Sequence, residues 1–152
     1  MELIEQLAKG ELIDASREKL LRLQDHVAAM PQIECPLRHF FVPGLYAREM
    51  FIPKGAVVVG KTHALDHLCV VLGDVSFYNQ VDGVMRVTGC ETFGSSAGTK
   101  RGIYAHEDTW LTTFHPNPNN ERDLVKLEAR LIAPDNGALP GEVVSELIEG
   151  GE

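Results

Sequence analysis

The chain has 152 residues, of which 44% are hydrophobic, so it can bury a core of its own as one domain. Fourteen basic and twenty-two acidic residues give a formal charge of -8, which excludes a broad surface for nucleic acid or an anionic membrane. We find neither a membrane-spanning apolar run nor a signal peptide. Three distant cysteines without a CxxC pair indicate reduced thiols, so we expect a cytoplasmic protein.

Residues 1–34 form a predicted N-terminal helical segment. A first short helix has an apolar face and ends at Gly10. A second helix starts at Asp14 or Ser16, both good N-caps, and its apolar residues recur at spacings of three and four. This stripe, Leu20, Leu23, Val27 and Met30, either packs on the domain's own sheet or forms a subunit contact.

Residues 35–132 have a sequence pattern typical of a barrel of short strands. Apolar, β-rich runs alternate with turn residues, which predicts antiparallel β structure. Gly73 and Asp74 are interpreted as a turn, Asp82-Gly83 as a hairpin, and residues 100–104 and 109–115 as antiparallel partners. The predicted strands are 45–52, 56–59, 67–72, 75–80, 84–88, 100–104, 109–115 and 124–132.

Residues 133–152 contain several proline and glycine breakers and form a predicted C-terminal tail, mobile or docked on a partner.

His63 and His67 are the first candidate metal ligands. A straight strand would hold them about 13 Å apart, but a turn at residues 64–66 would bring them together. Asp66 would then be a further ligand or a partner that fixes a histidine tautomer. On a helix, His63 and His67 would share one face and resemble the HxxEH motif of inverted zinc peptidases, but the residues on both sides are β-like and argue against a helix. The alternative without function is two polar residues at a hairpin tip.

His115 and His106 lie in the next informative stretch. Thr109, Leu111, Thr113 and His115 share one face of a predicted strand, while His106 falls in the turn before it. His26 and His39 have no partner pattern, and we interpret both as structural.

The residues from Gly60 to Asp74 resemble the first motif of the cupin family, with His67 near the usual position of a glutamate ligand. Residues 96–101 resemble the second motif, with Arg101 in place of a histidine. The resemblance implies a mainly β, double-stranded β-helix (cupin or jelly-roll) barrel with N-terminal helices. It also implies a divalent transition metal (Zn, Fe, Ni or Cu), with His115 as substitute ligand and His106 and Asp66 in reserve.

Residues 45–132 are also similar to a largely uncharacterised group of bacteriophage-encoded cupin-like proteins. Lys100, Arg101 and Tyr104 would either line the barrel mouth and bind an anionic ligand or form a solvated strand end. Two functions therefore stand. One is a metal-binding cupin that holds or processes a small molecule. The other is a non-enzymatic phage protein, a virion assembly module or a host-interaction protein.

Whether the chain is an enzyme stays open at this stage. We expect a homo-oligomer, a dimer first, because cupin barrels leave apolar faces and edge strands for a partner. We expect the compartment to be the cytoplasm, the host's if the chain is phage-encoded, with the virion as the alternative.

Overall fold

The computed structural model describes residues 17–79 and 83–133, which are mainly antiparallel β structure. Two helices lie at the ends of the described chain, α1 (Arg17–Ala28) and α2 (Leu124–Leu131). The strands are β1 (Leu37–Val42), β2 (Gly44–Ile52), β3 (Val57–Val59), β4 (Thr62–His63), β5 (His67–Asn79), β6 (Gly83–Ser95), β7 (Arg101–Ala105), β8 (Thr109–Asn117) and β9 (Ile132–Ala133).

Seven strands form one curled sheet in the order β1-β2-β8-β5-β7-β3, with β6 also paired to β5. β5 is shared, because residues 68–72 pair with β8 and residues 75–79 pair with β7. The sheet therefore has two parts, β1-β2-β8 on one side and β7-β3 on the other, joined through β5. This is the predicted double-stranded β-helix architecture, and the prediction of fold class is confirmed.

The core lies between the two parts of the sheet. Because side chains alternate along a strand, every second residue of β2, β5 and β8 points inward. Met50, Val71 and Leu111 form one such inward row and are buried with Phe77 and Ile103. Apolar burial of this kind supplies most of the driving force for folding.

The helices cover two further positions. Leu23 of α1 packs on Val59 and Tyr78, so the apolar stripe of this helix lies against the domain's own sheet. Leu127 and Leu131 of α2 pack on Tyr46 of β2. Next to α2, the short strands β4 and β9 pair with each other and tie the end of the described chain to His63.

Three predictions of local structure were wrong. Gly73 and Asp74 do not form a turn but lie inside β5. Residues 124–131 form helix α2 and not a strand. The strands β7 and β8 are not hairpin partners, since β7 pairs with β3 and β5 while β8 pairs with β2 and β5.

The first predicted helix lies outside the described residues, as does the tail beyond residue 133. The domain boundaries at residues 34 and 132 stay predictions.

Candidate functional site

Three histidines lie together on the inner side of the sheet, each contributed by a different strand. His63 ends β4, His67 begins β5, and His115 lies near the end of β8, and all three are buried. His115 faces inward because it follows Leu111 and Thr113 at intervals of two. In the register it is paired with Tyr46 of β2, whose ring stacks on it.

The turn between His63 and His67 is fixed by hydrogen bonds at each position. The Ala64 amide donates to the Leu131 carbonyl at 2.7 Å, and the Leu65 carbonyl lies 3.0 Å from Nδ1 of His67. The Asp66 carboxylate accepts a hydrogen bond from the Ala97 amide at 2.8 Å. The predicted turn is therefore present, and it holds the two histidines as neighbours.

One of the three ring separations lies within the range expected for two imidazoles on one ion, and the other two lie about 0.3 Å outside it. The ring centres of His63 and His67 are 4.3 Å apart, those of His67 and His115 are 4.9 Å, and those of His63 and His115 are 5.6 Å. A nitrogen bonded at about 2.1 Å puts its ring centre about 3.2 Å from the ion, so two rings at about 90–110° are about 4.6–5.3 Å apart.

The three side chains, as they are placed in the structure, do not form a metal site. As these side chains stand, no group of three or more histidine, cysteine, aspartate or glutamate side chains within residues 17–79 and 83–133 could hold a metal ion. Nε2 of His115, for example, lies 2.9 Å from Oγ1 of Thr113. An ion would therefore require these side chains to rearrange around it.

His67 has the hydrogen bonding of a metal ligand. A carbonyl can only accept, so the contact with Leu65 places the ring proton on Nδ1 and leaves Nε2 with a lone pair. This Nε2 is buried and has no hydrogen-bond partner among the described residues. Metal-bound histidines commonly donate their other ring nitrogen to a backbone carbonyl in this way.

All three histidines are held neutral near pH 7. Burial lowers the pKa of His63 well below its usual range, and the charges of His67 and Arg48 lower it further. Burial also lowers the pKa of His67, partly offset by its bond to Leu65. The pKa of His115 falls to about 3, first by burial and then by the neighbouring charges. Neutral imidazole is the form that binds a metal.

Two cavities meet at this cluster. The outer cavity has a volume of about 250 Å³, and His63 and His115 form part of its wall. The inner cavity, of about 30 Å³, lies on the barrel side of His63 and His67. The inner one has room for one or two waters, while the outer one fits a small organic molecule.

Arg48 of β2 is the residue of this site that the sequence analysis missed. It lines the outer cavity, and its charge lowers the pKa of His39, His63, His67 and His115. A sequence signal for Arg48 existed. It lies two residues after Tyr46 on the predicted strand 45–52, so both side chains lie on the same face of that strand. The rest of the outer wall includes Lys61 of the loop before β4, which forms an ion pair with Glu128 of α2.

The three predicted ligand-binding residues have different positions. Arg101 lies at the cluster: it lines the inner cavity, donates to Oγ of Ser95 at 2.7 Å, and lies over the ring of Phe93. Lys100 is buried, and its Nζ donates to the Gly60 carbonyl at 3.0 Å. Tyr104 packs beside α1 and contacts His106, so it is on the other part of the sheet.

The two reserve ligands are occupied elsewhere. Nε2 of His106 lies 2.7 Å from Oγ of Ser76, in the connection between β7 and β8. Asp66 is exposed and bonded to the Ala97 amide. The structure thus brings His63, His67 and His115 together and leaves His106 and Asp66 outside the cluster.

Comparison by sequence finds no matching family model and no match among curated proteins. Several solved structures are similar in fold. A protein with a double-stranded β-helix domain from Klebsiella pneumoniae has a TM-score of 0.48 and 11% identity, covering 64% of this chain and 89% of that one. A cupin-2 domain protein from Shewanella frigidimarina has a TM-score of 0.44 and 13% identity, covering 62% and 92%.

Salicylate 1,2-dioxygenase from Pseudoaminobacter salicylatoxidans has a TM-score of 0.47 and 13% identity, covering 66% of this chain and 31% of the enzyme. At such identities and TM-scores the likeness carries no argument about activity. In residues 17–79 and 83–133, no helix is long and apolar enough to cross a membrane.

Proposed function

We propose that this cupin-fold chain binds one divalent transition metal through His63, His67 and His115 and holds a small anionic ligand in the outer cavity. The observation that carries the proposal is the meeting of three buried, neutral imidazoles, from three strands, with ring separations within about 0.3 Å of the range for one ion. Imidazole ligands favour Zn, Fe, Ni or Cu over Mg or Ca.

The charges around the cluster favour an anionic ligand. Arg48 and Arg101 both lie close enough to lower the pKa of His63, so the surroundings of the cluster are electropositive. An anion in the outer cavity would offset these positive charges and would lie beside the three histidines. A small carboxylate fits best, because an arginine guanidinium binds carboxylates through paired hydrogen bonds.

A metal held by three protein ligands keeps a coordination position open and acts there as a Lewis acid. The chain's own contribution is to hold the three imidazoles neutral and, at His67, to fix the tautomer through the Leu65 carbonyl.

Titration of the metal-free protein with Co²⁺, followed by visible absorbance, tests the metal site. We expect wild type to bind about one equivalent, and His67→Ala to bind at least about tenfold more weakly because it loses the prepared Nε2 ligand. His26→Ala, a change of the same kind on an exposed helix face, is the matched control and should equal wild type. Equal binding by wild type and His67→Ala would overturn the assignment.

Calorimetric titration with malonate tests the anion site. Arg48→Gln removes the charge at the cavity and should weaken malonate binding about tenfold, whereas the exposed Lys54→Gln should not change it. Malonate affinity that is the same in Arg48→Gln and wild type would place any anion elsewhere.

The second candidate is a non-enzymatic phage protein, an assembly module or a host-interaction protein. Exposed apolar side chains on the sheet, among them Phe40, Leu68 and Leu72, favour it. The bacteriophage origin is part of the proposal and is tested by the genes adjacent to this one. A wild-type protein that takes up no transition metal would favour the second candidate over the first.

A further inference from the structure

The outer cavity has two walls of different chemistry. The wall formed by the strands carries polar side chains, among them Arg48, His63 and His115. The wall formed by α2 is mainly apolar and includes Leu124, Leu127 and Leu131. A ligand that fits both walls has one polar or charged end and an apolar body, because each part of its surface must meet a surface of the same kind.

The apolar wall comes from one face of α2. Leu124, Leu127 and Leu131 recur at spacings of three and four, so they lie in one row along the helix. Leu127 and Leu131 are buried and pack on Tyr46, whereas Leu124 is 45% exposed at the first position of the helix. The row therefore leads from the buried part of the cavity wall to its exposed part.

A second exposed leucine lines the same cavity from a different element. Leu37 begins β1 and is 39% exposed. It lies two residues before His39, on the same face of the strand, and His39 is opposite Arg48 in the register. Single exposed leucines are normal on a protein surface, but Leu37 and Leu124 both belong to the wall of one cavity. The exposed part of this wall is thus apolar on the strand side and on the helix side.

The charges of the cavity suit one anionic group rather than two. Among the described residues of the wall, the positively charged side chains are Arg48 and Lys61. Lys61 is neutralised by its ion pair with Glu128, which lies on α2 next to Leu127. A second anionic group on the α2 side would meet the Glu128 carboxylate and the leucines, and both disfavour it. The anionic end of the ligand therefore belongs on the strand wall, beside Arg48.

The volume of the cavity sets the size of the apolar body. A volume of about 250 Å³ has room for about eight water-sized groups at about 30 Å³ each. A carboxylate occupies about three of these positions, which leaves about five carbon atoms for the body.

Building on the anion site of the proposed function, we propose that the ligand of the outer cavity is a monocarboxylate with an apolar body of about five carbon atoms. Its carboxylate lies beside Arg48, and its body lies along the leucines of α2, between Leu124 and Leu37. Hexanoate has this composition and is the probe for the site.

Calorimetric titration of the full chain with butanoate, hexanoate and hexanedioate, at one ionic strength, tests the chemical class. Each methylene group buried in the cavity strengthens binding about fourfold, so hexanoate should bind about tenfold more tightly than butanoate. Hexanedioate has the same length but should bind at least about tenfold more weakly than hexanoate, because it places a second carboxylate among the leucines. Equal affinities for butanoate and hexanoate, or tighter binding of hexanedioate, would overturn the proposal.

Leucine variants from the two elements locate the apolar body. Leu124→Gln and Leu37→Gln each replace apolar surface with a polar amide, and each should reduce the preference for hexanoate over butanoate at least about threefold. Val125→Gln is the matched control, since Val125 follows Leu124 on α2, is 61% exposed and lies outside the cavity wall. It should keep the preference of wild type. A preference that is the same in all three variants would overturn the proposal.

Arg48→Gln separates the apolar body from the anion site. It removes a contact that butanoate and hexanoate share, so it should weaken the binding of both acids by the same factor. If both acids bind wild type equally tightly and both are weakened by Arg48→Gln, the apolar body is overturned and the anion site stands. If neither acid binds wild type, both are overturned.

Discussion

At the scale of the residue, Gly73 has a constraint that no other amino acid meets. Its φ is +149°, and a Cβ atom built there would lie 2.3 Å from Oγ1 of Thr109 and 2.8 Å from the Asp108 carbonyl oxygen. This is the point at which β5 leaves β8 and begins to pair with β7. A side chain would therefore push apart the junction of the two parts of the sheet.

Gly73→Ala should lower the free energy of unfolding by about 3 kcal/mol, because overpacking against backbone adds to the strain of a φ that L-residues rarely adopt. Gly94→Ala, in the neighbouring strand β6, is the control, since nothing lies within 4 Å of its Cβ position. Urea denaturation of both variants measures the difference, and equal stabilities would contradict this explanation of the junction.

At the site, the sequence predicted the positions of the histidines but not that of Arg48. The three-residue gap between His63 and His67, together with β-like flanks, was enough to predict the turn. The parity of residues 109–115 placed His115 on the inner side of its strand. Arg48 was missed because its closeness to the histidines depends on the pairing of β2 with β8, which is a long-range contact.

At the scale of the element, residues 124–132 were predicted as a strand although their apolar residues have a helical period, and residues 124–131 form helix α2. Leu124, Leu127 and Leu131 recur at spacings of three and four, which is the helical pattern, and Asp123 is a suitable N-cap. The prediction for β5 was wrong because two residues typical of turns lie inside a continuous strand. Gly73 and Asp74 are typical of turns, but a 13-residue strand passes through them because its partner on one edge changes there.

Helix α2 supports the wall of the outer cavity, and its first turn depends on one side chain. The Asp123 carboxylate accepts hydrogen bonds from the amides of Val125 and Lys126. Asp123→Ala should cost about 1 kcal/mol of stability, while Asp123→Asn should keep most of it because an amide oxygen also caps. Thermal unfolding compares the two. A melting temperature that is the same for Asp123→Ala and Asp123→Asn would show that the cap is unimportant.

At the scale of the whole molecule, the buried histidines should make the metal-free protein sensitive to acid. The pKa of His115 is about 3 in the folded chain, and burial lowers the pKa values of His63 and His67 as well. The unfolded chain, with a histidine pKa of about 6.5, therefore binds more protons below that pH. The stability of the folded state that depends on these neutral histidines is fully present above about pH 6.5 and is lost as the pH falls below it.

Each of these histidines should contribute a slope of up to about 1.4 kcal/mol per pH unit. Urea unfolding in the presence of a chelator, at about pH 7.5, 6 and 5, measures the slope before most carboxylates titrate. His115→Gln should reduce the slope by the share of one proton. A stability that is unchanged between pH 7.5 and 5 would contradict the burial of neutral histidines.

The central claim is that the three histidines form a metal site, and the metal content of the protein tests it most directly. The full chain, purified without a histidine tag from metal-supplemented cells, is analysed by inductively coupled plasma mass spectrometry beside His67→Ala and His26→Ala. We predict about one equivalent of a transition metal in wild type and in His26→Ala, and less than about a tenth of that in His67→Ala. A wild-type protein without transition metal, or with the same content as His67→Ala, would contradict the claim.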